Sequence, residues 1–178
     1  EDADRELRRA VEIDSSFTDA FLRLGAVRLE GGRPEAALEP LLHVARRWPK
    51  EPEVGNLMGE VYLQTGDNDL ALAAFTATLE DDATSVPAHL GLGRGLFADG
   101  RFTDAQAAFR RALDLDPDDP IARSLLGGTL VQLDRAAEAE PHFHAAVELR
   151  PDDGEGFNNL ALALRARGRL DEAIAACR

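Results

Sequence analysis

The sequence predicts an all-α solenoid built from repeated helical hairpins, and three observations carry that prediction. Stepping 34 residues from Gly25 gives Gly59, Gly93, Gly127 and Ala161, the smallest side chains available. The same step from Ala3 gives Ala37, Ala71, Ala105, Ala139 and Ala173, alanine at all six places. The 178 residues are 44% apolar but only 6% aromatic, so a core must be made mainly of Ala and Leu, which suits close-packed helices better than a sheet.

Two further series share the period. One runs Leu7, Leu41, Phe75, Phe109, Phe143 and Cys177, the other Leu24, Met58, Leu92, Leu126 and Leu160. The physical reading is one hairpin per period, an A helix followed by a B helix. Small residues mark where two helix backbones come closest, and large ones fill the gap beside them. Turns repeat too, with Gly32, Gly66, Gly100 and Gly168 interrupted by Asp134, and Pro49, Pro117 and Pro151 interrupted by Ala83. Within Phe102 to Asp116, Ala105, Ala108, Phe109, Ala112 and Leu113 follow the i, i+3, i+4, i+7 spacing of one helical face. Thr103 and Gln106 form a capping-box pattern at its start. Gly100 lies in the turn before it, where a positive φ is cheap for glycine. Asp119-Pro120 reads as an N-cap followed by proline at the first helical position.

These residues resemble the tetratricopeptide repeat family, whose pattern combines a small residue, an alanine, an aromatic and a proline at the places just described. The resemblance spans the chain and implies a right-handed superhelical solenoid, a single unit over 1–178. In order, it gives a B helix over 1–17, repeats at 18–51, 52–85, 86–119 and 120–153, and a truncated fifth repeat over 154–178. The family's usual aromatic at the fourth repeat position is kept at Phe21 and Phe157 but replaced by Gly55, His89 and Arg123. Pro40 and Pro141 fall inside B helices, where each removes a backbone hydrogen bond and clashes with the preceding turn, so a local kink is expected in both. Gly91, Gly93 and Gly95 fall in one A helix, making it the least stable intrinsically. Gly93 is the family's packing glycine, and the other two have no packing reason in the sequence.

Formal net charge is −13, from 33 acidic and 20 basic residues, so a phosphate backbone would be repelled and nucleic acid is excluded as a partner. All basic residues but Lys50 are arginine, a bias of high-GC, bacterial codon usage. No apolar run is long enough to span a membrane. The chain begins at Glu1 and Met58 is its one methionine, which suggests a piece of something longer. The compartment stays open, with the cytoplasm favoured.

No motif for a cofactor or metal survives inspection. Gly91-Leu92-Gly93-Arg94-Gly95 is not a phosphate loop, because it sits inside a helical repeat instead of between strand and helix. Asp114, Asp116 and Asp118 alternate like calcium ligands, but Asp119 and Leu125 occupy the places that need glycine and glutamate. His142 and His144 point about 200° apart on a helix and cannot share one ion. They are expected to be partly exposed, with His89 a packed ring, His43 without chemistry and Cys177 a small buried hydrophobe. No nucleophile elbow, HExxH or catalytic carboxylate pair occurs, so the chain is not expected to be an enzyme.

The resemblance implies binding on the concave side, at repeat positions 2, 5, 9, 12 and 13 of the A helices. The first repeat offers Leu22, Ala26, Leu29 and Glu30, and the second Asn56, Glu60, Leu63 and Gln64. The third offers Leu90, Arg94, Phe97 and Ala98, the fourth Ser124, Gly128, Val131 and Gln132, and the fifth Asn158, Leu162, Arg165 and Ala166. Leu29, Leu63, Phe97 and Val131 serve equally well as packing between A helices. The lysine and arginine set with which some family members clamp a terminal carboxylate is absent. The expected partner is therefore a protein or peptide held by apolar contacts with sparse polar anchors. Two other functions fit the sequence. One is the repeat arm of a larger enzyme such as a bacterial glycosyltransferase, suggested by Phe157 to Ala161 and Gly168 to Ile174. The other is a structural subunit that associates end to end through the apolar stripes of its first and last helices.

Overall fold

The computed structural model describes residues 2–14 and 17–176. Among them are eleven helices and no strand: α1 (Asp2–Ile13), α2 (Thr18–Glu30), α3 (Pro34–Arg47), α4 (Pro52–Thr65), α5 (Asn68–Asp81), α6 (Val86–Ala98), α7 (Phe102–Leu115), α8 (Pro120–Gln132), α9 (Ala136–Leu149), α10 (Gly154–Ala166) and α11 (Leu170–Ala176). This is the all-helical hairpin fold that the period predicts. The helices form two compact units that divide within α6, one ending at Gly91 and the other beginning at Leu92.

The small and large series meet in space. A Cβ on Gly25 would lie 2.7 Å from Leu41, and one on Gly59 would lie 2.6 Å from the Phe75 ring. In the second unit the corresponding pairs are Gly93 with Phe109 at 2.4 Å and Gly127 with Phe143 at 2.7 Å. In these four hairpins the A helix therefore lets the large side chain of its own B helix press against bare backbone. Ala37, Ala71, Ala105 and Ala139 are fully buried, as the alanine series requires. Ala3 is exposed, and its neighbour Asp4 is buried instead. Cys177 lies outside the described residues.

Hairpin turns are set by one left-handed residue each. Gly32, Gly66, Gly100 and Gly168 have φ between 66° and 84°, and Asp134, in the one window without glycine, has φ 60°. Asp is among the few side chains that tolerate this region. Asp119 caps α8 as expected, its carboxylate accepting from the Ile121 and Ala122 N–H groups at 2.8 and 3.3 Å.

Two local expectations need correction, at the start of α7 and at Gly91. The capping box at α7 does not form, because Gln106 is buried and its Oε1 accepts from Arg135 of the next repeat at 3.2 Å. Gly91 does have a packing reason: a Cβ there would lie 2.2 Å from the Phe75 ring, on which Gly59 also presses. His89 is a half-buried ring whose Nε2 lies 3.1 Å from the Ala83 carbonyl, so it holds a turn as well as packing. Arg123, at the same repeat position, donates to the Pro117 carbonyl at 2.6 Å. The prolines leave α3 and α9 continuous. In α3 the carbonyl that Pro40 cannot use, that of Ala36, accepts from Arg28 Nη1 at 2.5 Å.

Adjacent repeats are also pinned by polar contacts, two of which, Asp4 with Arg33 and Glu140 with Arg169, are 29 residues apart. Asp4 accepts from Arg33 at 3.1 Å, and from Arg28 at 3.1 Å. Glu140 accepts from Arg169 at 2.6 Å and pairs with Arg167. Hydrogen bonding from Arg28 holds the Asp4 carboxyl below its ordinary pKa against the opposing effect of burial. Burial pushes Glu140 upward, but Arg169 and Arg167 outweigh it and the net shift is downward.

Candidate functional site

The A-helix candidates of the first unit are largely engaged in holding the fold. Leu22 and Leu29 are only 4% and 5% exposed and belong to the core around Phe21, Leu41 and Val61. Asn56 donates to Ser85 Oγ at 3.3 Å, and Ser85 in turn accepts from Ala88 N–H at the start of α6. Ala26, Glu60, Leu63 and Leu90 are half-buried, while Glu30 and Gln64 are exposed. A cavity of about 650 Å³ does open in this unit, but its walls are α1, α2 and α3, and it contains none of the A-helix candidates. Within it Phe21 stacks on His43 at 4.1 Å between ring centroids.

In the second unit the candidates converge. Arg94 and Phe97 of α6 and Ser124 and Gly128 of α8 line one cavity of about 680 Å³, together with Ile121, Leu125, Arg150, Asp153, Glu155, Gly156 and Asn159. Phe97 is fixed by an edge-on contact with Phe102, the ring centroids 5.2 Å apart. The cavity wall is thus partly apolar, from Phe97, Ile121 and Leu125, and polar at the start of α10. Asp153 caps α10, accepting from the Glu155 and Gly156 N–H groups at 3.1 and 3.3 Å, and lies 4.0 Å from Arg150. The side chain of Glu155 is exposed. Val131 is half-buried and Gln132 exposed, both outside this cavity.

Asn158, Leu162 and Arg165 line a different cavity, of about 690 Å³, with Ala161, Leu170, Ala173 and Ile174 on the face of α10 and α11. Leu162, Leu170 and Ile174 are 46%, 58% and 55% exposed there. Ala166 is exposed outside both cavities.

Sequence reasoning named no site residue from the turn between α9 and α10. Of that turn only Pro151 belongs to the series read from the sequence, and the place of Arg150 and Asp153 in the cavity depends on how the turn sits beside α8. Ile121 and Glu155 carried a usable signal, since both stand at the second repeat position. The histidines divide as expected in part: His144 is exposed, 3.8 Å from Glu140, and His142 is half-buried. Burial, then Arg123 and Arg110, lower the His142 pKa. Among the described residues no group of three or more His, Cys, Asp or Glu is placed to hold a metal ion. No described helix is long and apolar enough to cross a membrane.

The model of the tetratricopeptide repeat family matches residues 56–120, 90–153 and 125–178, more than half of the chain. The chain belongs to the tetratricopeptide repeat family. Among solved structures it is similar to TTC0263, a thermophilic repeat protein of this type from Thermus thermophilus, with 23% identity and a TM-score of 0.78 over 89% of this chain and 87% of that one. It is similar to PilF of Pseudomonas aeruginosa, with 20% identity and a TM-score of 0.82 over 89% of this chain and 72% of that one. A third is MamA of Desulfovibrio magneticus RS-1, residues 41 to the end, with 21% identity and a TM-score of 0.76 over 89% and 90%. At these identities the likeness shows the fold alone. No curated protein sequence matches the chain.

Proposed function

We propose that the protein is a non-catalytic scaffold that binds a peptide or protein partner on the face of its A helices. The observation that carries this reading is the convergence of Arg94, Phe97, Ser124 and Gly128 on one open cavity of about 680 Å³. A partly apolar concavity with a few polar groups at its rim is the form that peptide recognition takes when side-chain anchors supply the affinity. The second unit also contributes Val131, Gln132, Asn158 and Arg165 to this reading, and the first unit, taken by itself, contributes Asn56, Glu60, Leu63 and Leu90.

A phage-displayed random dodecapeptide library panned against the purified protein tests this reading. Peptides should be recovered that bind the parent, and Phe97→Ala or Arg94→Ala should weaken them about fivefold or more, as expected for anchors worth about 1 kcal/mol. Peptides that bind both variants like the parent would move the site off this face.

A second reading has its own observation, the exposed apolar cavity on α10 and α11. A second copy laid against that face would bury Leu162, Leu170 and Ile174 in an end-to-end contact. Light scattering over a concentration series checks it. Growth in mass that Ile174→Glu abolishes supports association, and a constant monomer mass contradicts it.

A further inference from the structure

Gly128 differs from Gly25, Gly55, Gly59, Gly91, Gly93 and Gly127, the mid-helix glycines with a side chain packed against them. In a helix interior glycine is less favourable than alanine. Gly25, Gly59, Gly91, Gly93 and Gly127 each have a neighbouring side chain that would collide with a Cβ. Gly128 has nothing within 4 Å of where its Cβ would stand. The fold therefore gives no steric reason for glycine there, and the space it leaves open is the cavity that Phe97, Ile121 and Leu125 line. At the α10 end of that cavity the charges are unequal in availability. Asp153 is committed to the N–H groups of Glu155 and Gly156 and lies near Arg150, whereas the exposed carboxylate of Glu155 makes no hydrogen bond or ion pair among the described residues.

We propose that Gly128 opens this cavity to one large apolar side chain of a partner peptide, and that Glu155 selects a lysine or arginine beside that side chain in the same peptide. The inference rests on the peptide-binding reading above and names the partner's chemistry. Truncation to glycine makes room for a bulky group over α8, and Phe97, Ile121 and Leu125 supply the apolar surface that such a group would cover. At the α10 end Arg150 lies 4.0 Å from Asp153 and offsets its charge, so the carboxylate of Glu155 sets the preference there, repelling a peptide carboxylate and giving a cation a partner. A basic segment is also favoured at longer range, because the chain carries a net charge of −13 and steers cations toward it.

The test uses the panned dodecapeptides as probes. Those selected by the parent should be enriched in a large apolar residue next to Lys or Arg. Gly128→Leu should fill the cavity and weaken them about tenfold or more. Gly128→Ala, for which helix propensity predicts a fold at least as stable, should weaken them less. Glu155→Lys should reverse the preference, so that acidic peptides replace basic ones on reselection. Should Gly128→Leu fail to fold, the Gly128→Ala and Glu155→Lys results decide. Peptides that bind Gly128→Leu or Gly128→Ala as tightly as the parent would overturn the cavity assignment while leaving peptide binding intact. Selection with no basic preference would overturn the role of Glu155. Failure to recover any peptide would overturn both this inference and the reading beneath it.

Discussion

Gly127 and Gly128 are neighbours on α8, and they separate the two faces of that helix. On one face Gly127 lies under the Phe143 ring, which is 2% exposed and has no room to retreat. On the other, Gly128 faces open space at the cavity beside α6 and α10. The same residue type is thus required by the fold on one face and unexplained by it on the other. What the fold does not require is where a binding function can be sought.

The largest effect expected from breaking this contrast is at Gly91. Phe75 is pressed by Gly59 from α4 and by Gly91 from α6, so a methyl group at Gly91 leaves the ring nowhere to move. Gly91→Ala should destabilise by up to about 3 kcal/mol, and Gly127→Ala by about 1–3 kcal/mol, both through overpacking. Urea denaturation midpoints check these values, and unchanged midpoints would show that the rings yield. Gly128→Ala should do the opposite, raising stability by about 0.5–1 kcal/mol through helix propensity alone. A lower midpoint for this variant would mean that its face is packed after all.

The smallest expected effect sharpens the comparison at α9, behind the packed face. Burial, Arg123 and Arg110 hold the His142 pKa below the ordinary histidine value, with Glu138 opposing. The unfolded chain therefore takes up this proton first as pH falls. The stability that a neutral His142 contributes is complete above about pH 6.5 and is lost as pH falls through its lower folded value. Thermal midpoints measured between pH 7 and 5 should fall less steeply for His142→Gln than for the parent. Parallel curves would show that His142 does not carry the dependence.

The fold was legible in the sequence because every repeat had to solve the same packing problem with the same spacing. Gly25 with Leu41, and Gly59, Gly93 and Gly127 with their phenylalanines, announce themselves by recurring. Gly91 was not legible, since its contact with Phe75 occurs once and repetition gives no help. The capping box at Thr103 failed for a related reason: Gln106 had a better partner in Arg135, 29 residues on, which local spacing does not reveal. For the candidate site, Arg94, Phe97, Ser124 and Gly128 followed from the repeat frame. Leu22 and Leu29 share that frame but are buried, because the first hairpin packs its A helix more fully. Arg150 and Asp153 come from a turn, where the period sets the residue type but not what the side chains face.

Proton–nitrogen correlation spectra of the protein, titrated with one selected dodecapeptide, test the central claim most directly. Amide shifts concentrated at Arg94, Phe97, Ser124, Gly128, Glu155 and Asn159 on α6, α8 and α10 are expected. Shifts concentrated instead at Arg110, Arg123 and His142, with the α6, α8 and α10 cavity undisturbed, would contradict it.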